Sequence, residues 1–196
     1  MADIEKLRSS LEAHKISSSF FETAAEAVDY LDGKLDNTTV GFGGSATVGQ
    51  IGLYERLSRH NRTLWHAKGD DPREAGTASV YICSLNGVAE TGELINIDGT
   101  GNRVAASIYN ARHVIFVIGI NKIAPDYGSA LWRARNIAAP KNAQRLGKKT
   151  PCAVKGDKCY DCKSAERICK ALVVLWEKPN AVNEMEVVII NETLGY

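Results

Sequence analysis

The chain has 196 residues, with 24 Lys and Arg against 23 Asp and Glu and a formal net charge of +1, which is the size of about one domain. A hydrophobic fraction of 44%, with 17 Gly and 5 Pro, excludes a disordered or fibrous chain. The near-neutral balance gives no whole-molecule attraction for phosphate backbones or anionic lipids, and no apolar run approaches the roughly 18 residues needed to cross a bilayer. The opening segment is charged and amphipathic, unlike a signal peptide, so the expectation is a cytoplasmic protein without membrane or nucleic-acid partners.

In chain order, Ile4, Leu7 and Leu11, followed by Phe20 and Phe21, fall on an interrupted helical period. Thr23 caps a second helical stretch carrying Ala24, Ala27, Val28 and Leu31, so two helices are predicted first. After the turn-prone Asp36 and Asn37, residues 38–42 have strand composition, and Gly43 and Gly44 turn the chain into a helix with Val48, Ile51 and Leu57. Short apolar runs at 63–65, 78–84, 93–98 and 113–119 read as buried strands, while helical spacing returns over 102–112 and 127–139. Residues 171–176 and 186–190 give two late strands. This alternation predicts a layered α/β domain with a largely parallel sheet, the cysteine-bearing segment being an irregular loop between sheet and tail. No internal repeat and no Pro, Gly or Ser-rich linker marks a boundary, so one domain is expected over 1–196.

The strongest chemical feature is Cys152, Cys159, Cys162 and Cys169, a C-x6-C-x2-C-x6-C spacing. Four thiolates within so short a segment suit a tetrahedral zinc or an iron–sulfur cluster, because the central C-x2-C turn aims two sulfurs at one centre. The competing readings are incidental thiols or two disulfides. Between Lys141 and Lys170 nine Lys or Arg face three acids, a local net charge of +6. Such charge lowers thiolate pKa and offsets a four-thiolate site; it also suits an acidic partner or phosphate, or is simply a solvated face.

Gly43, Gly44, Ser45, Ala46 and Thr47 form a glycine turn from strand to helix, where free amides and the helix dipole favour a carboxylate or phosphate. The pattern is a loose dinucleotide fingerprint, but the next strand ends at Trp65, His66, Ala67 and Lys68 without the acid that would hold a ribose, so a nicotinamide site is discounted. A tight turn needing glycine only for its backbone angles is the plain alternative. A second polar island holds Glu90, Thr91, Gly92, Asn102 and Arg103 between apolar strands. There Glu90 is a candidate base or nucleophile, and Arg103 a candidate carboxylate clamp. Asn121 and Lys122 follow the strand 113–119 in a similar strand-end position. The four histidines form no ligand spacing with one another or with the cysteines.

In their order along the chain, the 43–47 turn, the 88–94 and 98–103 segments, Asn121 with Lys122, Ala139 to Asn142, Thr150-Pro151-Cys152 with the later cysteines, and the ending 188–196 resemble the LUD-domain family, the lactate-utilisation proteins. The resemblance covers nearly the whole chain from about residue 20. It implies a Rossmann-like three-layer fold similar to ribose-phosphate isomerase and CoA-transferases. In that group the glycine turn holds a phosphate-bearing or carboxylate ligand and an acid near Glu90 acts in catalysis. It also implies redox work linked to lactate oxidation, although the chain lacks the ferredoxin-type cysteine runs of the larger lactate-utilisation component. The resulting expectation is a redox protein with a 4Fe–4S cluster on the four cysteines, zinc being the alternative metal. It would act as an oxidoreductase component on a 2-hydroxy acid. Its catalytic residues would be Glu90 and Lys122, and a small carboxylate would sit among residues 43–47, Thr91, Gly92, Asn102, Arg103 and Asn121. An electron-transfer protein partner and a homodimer accompany this reading. A zinc-stabilised isomerase or acyl-transferase and a ligand-binding regulatory module stand beside it.

Overall fold

The computed structural model describes residues 2–196. Helix α1 (Ile4–Ala13) opens on Asp3, whose carboxylate accepts from the Lys6 amide, and it buries Leu7 and Leu11. Lys15 then takes a left-handed φ of 59° and ends the helical path. The Phe20 and Phe21 expected on a helical period lie instead in strand β1 (Ser17–Phe21), which pairs in parallel with β10 (Glu184–Ile190). Three serines offer little helix propensity, and the open edge of β10 supplies backbone partners that local spacing cannot reveal. Helix α2 (Ala24–Lys34) starts where expected, at a capping box between Thr23 and Glu26.

Strand β2 (Thr39–Phe42) leads into α3 (Ala46–Gln50) and α4 (Leu53–Leu57); the single helix expected here is broken at Gly52, whose φ is 67°. Then come β3 (Arg62–Trp65), the short α5 (Pro72–Ala75) and β4 (Val80–Cys83). Strands β2, β3, β4, β7 (His113–Gly119), β10 and β1 form one wholly parallel sheet in the order β1-β10-β7-β4-β2-β3. Both faces are covered, which is why these strands read as continuous apolar runs. Val114, Phe116 and Ile118 of β7 point to a core shared with α1, while Ile115 and Val117 point to the core beneath α2, α3 and α4.

A second, mixed sheet departs from the expectation. Strands β5 (Gly87–Ala89) and β6 (Leu94–Asp98) pair antiparallel, β8 (Ile123–Ala124) joins β5 in parallel, and β9 (Ala171–Leu175) pairs antiparallel with β6. The expected strands at 93–98 and 171–176 therefore leave the main sheet, and β5 and β8 are too short to register as periodic runs. Helix α6 (Asn102–Ala105) continues as a π turn over Ala106–Asn110. Helix α7 (Tyr127–Arg133) runs through a second π segment, Ala134–Ala138, into α8 (Ala139–Arg145). Pro140 has no amide to return to the preceding turn, which accounts for the wide turn there. Helix α9 (Pro151–Lys155) carries Cys152, so the cysteine segment is loop only beyond it.

Candidate functional site

The chain runs outward from β2 to the edge strand β3, then reverses through β4, β7 and β10. A crevice opens at the carboxyl ends of parallel strands where the order reverses. Gly43 leaves β2, Ser84 leaves β4 and the Asn121–Lys122 pair leaves β7 at that end. Gly44, Ser45, Ala46, Ser84, Asn86, Arg103, Lys122, Asn142 and Arg145 line one pocket there, and a wider cleft beside it adds His66, Asp98 and Asn102. Of the residues singled out from sequence, the structure thus gathers the glycine turn, Lys122, Arg103 and Asn102.

Lys122 is 4% exposed. Its Nζ donates to Thr47 Oγ1 at 2.8 Å and to Ser84 Oγ at 2.7 Å, and among the described residues no carboxylate pairs with it. Burial, then the positive Arg133 and Arg103 nearby, bring its pKa down to about 7. Arg103 reaches Ile97 O at 2.6 Å and Asn86 Oδ1 at 3.2 Å, with Asp98 at 3.9 Å. Burial works against charge on Asp98, but the backbone N–H groups of Gly101, Thr100 and Val104, with Arg103, outweigh it and hold the carboxyl below its usual range. Asp98 is thereby committed to folding the loop before α6. Arg145 shares only Asn142 Oδ1 through two of its nitrogens and faces the pocket. The result is a cationic recess with hydroxyl groups and no unpaired acidic side chain in its lining, suited to hold a small anion.

The glycine turn lines the pocket, and the helix behind it is short. Helix α3 has only five residues, and Ser45 Oγ itself accepts the Val48 amide. The glycines are required by packing: a Cβ on Gly43 would fall 2.9 Å from both Cys83 Cβ and the Tyr81 hydroxyl, and one on Gly44 would fall 3.2 Å from the His66 ring.

Glu90, Thr91 and Gly92 are not brought to this pocket. Glu90, 8% exposed, accepts from the Asp3 amide at 2.9 Å and pairs with Lys6 at 3.4 Å, so it anchors the start of α1. Thr91 bonds Glu93, and Gly92 packs against His14. Asn121 acts on the chain end: its Oδ1 accepts the Leu194 amide at 3.0 Å and its carbonyl accepts Arg133 Nε at 2.7 Å. That holds residues 191–196 over the pocket, with Leu194 O near Thr47 and Gly195 packed against Lys122 Nζ. Sequence reading missed Ser84 and Arg145 as pocket residues. Ser84 sits at a strand end, the same signal that marked Lys122; Arg145 carries none, because only the docking of α8 aims it.

The four cysteine side chains border one cavity with Arg135, Ala139, Ala143, Thr150 and Arg167. The Asp161 amide donates to Cys159 Sγ at 3.3 Å across a left-handed Asp161, φ 45°, and Thr150 Oγ1 lies 3.3 Å from Cys152 Sγ. Arg167 donates to Cys169 O and Cys162 O, drawing the loop closed. Among the described residues no three His, Cys, Asp or Glu side chains stand close enough together to grip one metal ion. The donor chemistry is the kind a four-thiolate centre uses, since all four cysteines line one cavity and Cys159 Sγ accepts an N–H. Ala139 lines this cavity and the wider cleft alike, so one face of α8 separates the two.

A Rossmann-like three-layer α/β protein, with its candidate site at the carboxyl ends of the central parallel strands, is the class that this architecture defines. The chain belongs to the LUD domain family, whose model matches residues 4–190. It is similar to a DUF162 family protein from Deinococcus radiodurans at 14% identity, with 95% of each chain covered and a TM-score of 0.56. A partial likeness to ribose 5-phosphate isomerase from Plasmodium falciparum spans 52% of each chain at 15% identity and a TM-score of 0.33. No curated protein matches the chain. No helix among the described residues is long and apolar enough to cross a membrane.

Proposed function

We propose that this LUD-domain protein is a redox component of organic-acid metabolism that binds a small carboxylate, a 2-hydroxy acid or its 2-oxo counterpart, beside a 4Fe–4S cluster held by Cys152, Cys159, Cys162 and Cys169. The observation that carries the reading is the shared wall: Asn142 and Arg145 of α8 line the cationic pocket, while Ala139 and Ala143 of the same helix line the four-cysteine cavity. Family membership, with its relation to lactate utilisation, supports the substrate class. When bound, the cluster would supply one-electron transfer. Arg145 and Arg103 balance the carboxylate, and Asn142 orients it. Lys122, poised between its two protonation states near neutral pH, holds or releases the proton at the oxygen on the 2-position. That role passes to Lys122 because Glu90 is spent on α1. The basic residues around the cysteine loop, including Lys148, Lys149, Lys158 and Lys163, suit an acidic electron-transfer partner.

The test is anaerobic purification followed by iron, sulfide and zinc analysis with a visible spectrum. The reading expects about four irons and four sulfides per chain and a brown absorption bleached by dithionite. One zinc per chain without colour, or a spectrum indifferent to dithionite, would sink the redox role and leave the cysteines structural.

A further inference from the structure

We propose that Lys122 forms a Schiff base with the carbonyl carbon of a small 2-oxo acid held in the pocket at the ends of β2, β4 and β7. The inference rests on the carboxylate pocket proposed above and adds a covalent step to it.

Lysine in a protein interior normally finds a carboxylate; Lys122 finds two neutral hydroxyls, Thr47 Oγ1 at 2.8 Å and Ser84 Oγ at 2.7 Å. The cations nearest in the fold are guanidinium groups, and they already supply what a carboxylate needs. Arg103 and Arg145 line the same pocket, so Lys122 is not required as a charge clamp. A buried amine among cations, without an acid to hold its proton, is shifted toward its neutral and nucleophilic form. The downward shift to about 7 agrees with that placement. Residues 194–195 pack over the Nζ and Thr47, which keeps bulk water from a newly formed imine.

The step balances within the pocket. The neutral Nζ adds to the 2-carbonyl carbon, and a proton moves from nitrogen to the former carbonyl oxygen, giving a carbinolamine. That oxygen then leaves as water while a C=N bond forms between Nζ and the 2-carbon. Thr47 and Ser84, both in hydrogen-bond contact with the nitrogen, relay the protons, and no oxidant or reductant is consumed. An arginine-held carboxylate fixes which end of the ligand meets the amine.

The test uses the purified full chain with pyruvate or glyoxylate and sodium cyanoborohydride, read by intact mass and peptide mapping, while calorimetry follows pyruvate binding without the reductant. A single reduced adduct on Lys122 is expected at pH 7. It should form at least about a hundredfold faster than on surface lysines, which are almost wholly protonated there, and acetate should compete it away. Lys122→Arg, which keeps the positive charge, should lose the adduct, and a change at an exposed lysine far from the pocket, Lys15→Arg, should keep it. The wild-type peptide map is decisive even if the Lys122 variant folds poorly. Pyruvate binding with adducts only on surface lysines would overturn the covalent step and leave the carboxylate pocket standing. Neither binding nor adduct would overturn both.

Discussion

At the scale of single residues, the two most heavily buried charges act on stability in two separate pH windows. Lys122 has its pKa brought down to about 7. Below that value folded and unfolded chains both carry the ammonium and its burial cost is constant. Above it, up to the ordinary lysine range, the unfolded chain holds a proton that the folded chain lacks, so stability rises with pH through that window. The melting temperature of the native protein relative to Lys122→Met should therefore climb between about pH 7 and pH 9.5, whereas a flat difference would mean the amine is charged in both states. Glu186, 2% exposed, is the contrasting case. Burial opposes its charge, but Lys34 at 2.6 Å, Ser19 at 2.6 Å and Tyr30 at 2.8 Å overcome this and hold its pKa down. Its contribution is present above the usual glutamate range and is lost as pH falls through the lowered value. Glu186→Gln should cost about 1–3 kcal/mol in urea unfolding at neutral pH, and the cost should shrink on acidification. Neither residue's role was written in its neighbours. Lys122 was legible as a strand-end lysine, but its hydroxyl partners come from 75 and 38 residues away.

At the scale of elements, the sequence marked helices by their caps and strands by their apolar runs, and it failed where an element depends on a distant edge. The Thr23 cap and the β7 run were readable because each is a local pattern. Strand β1 was not, since only β10 makes it a strand. Close approaches between elements were equally hidden. Gly41 lies in β2 with Ala75 against it, and a Cβ there would stand 1.9 Å from the Ala75 carbonyl oxygen. Gly41→Ala should destabilise by about 1–3 kcal/mol because backbone, not a movable side chain, must yield. An unchanged urea midpoint would show that α5 is free to shift. The helix pair α2 and α4 is tied by His60, whose Nε2 lies 2.7 Å from Asp32 and whose Nδ1 lies 2.9 Å from Asp36. The hydrogen bond to Asp32 and then that to Asp36 raise the His60 pKa. The tie is thus fully present below the unfolded histidine pKa of 6.5 and fades as pH rises through the raised folded value. His60→Gln should remove this part of the pH dependence, seen as a smaller fall in melting temperature between about pH 6 and pH 8.5.

At the scale of the whole molecule, the cysteine loop is the segment whose stability a bound metal centre would change. None of the five cysteines is joined in a disulfide, and the four that share the cavity are partly exposed. A ligand that binds only the folded arrangement stabilises it by mass action. Anaerobic reconstitution with iron and sulfide should raise the melting temperature, while Cys159→Ser with Cys162→Ser should abolish the rise and leave the unloaded melting temperature nearly unchanged. A rise that persists in the double variant would place the metal elsewhere. The sequence by itself determined the α/β class, the central strands β2, β3, β4, β7 and β10, the cysteine set and the strand-end lysine. Periodicity, composition and spacing are local, and a strand buried on both faces announces itself. Only the tertiary structure decided that a second mixed sheet splits off, that Glu90 anchors α1 while Ser84 and Arg145 join Lys122, and that α8 stands between pocket and cysteines. Those outcomes are set by which distant backbone edges pair and which side chains a docked helix aims inward, and both depend on residues far apart in the chain.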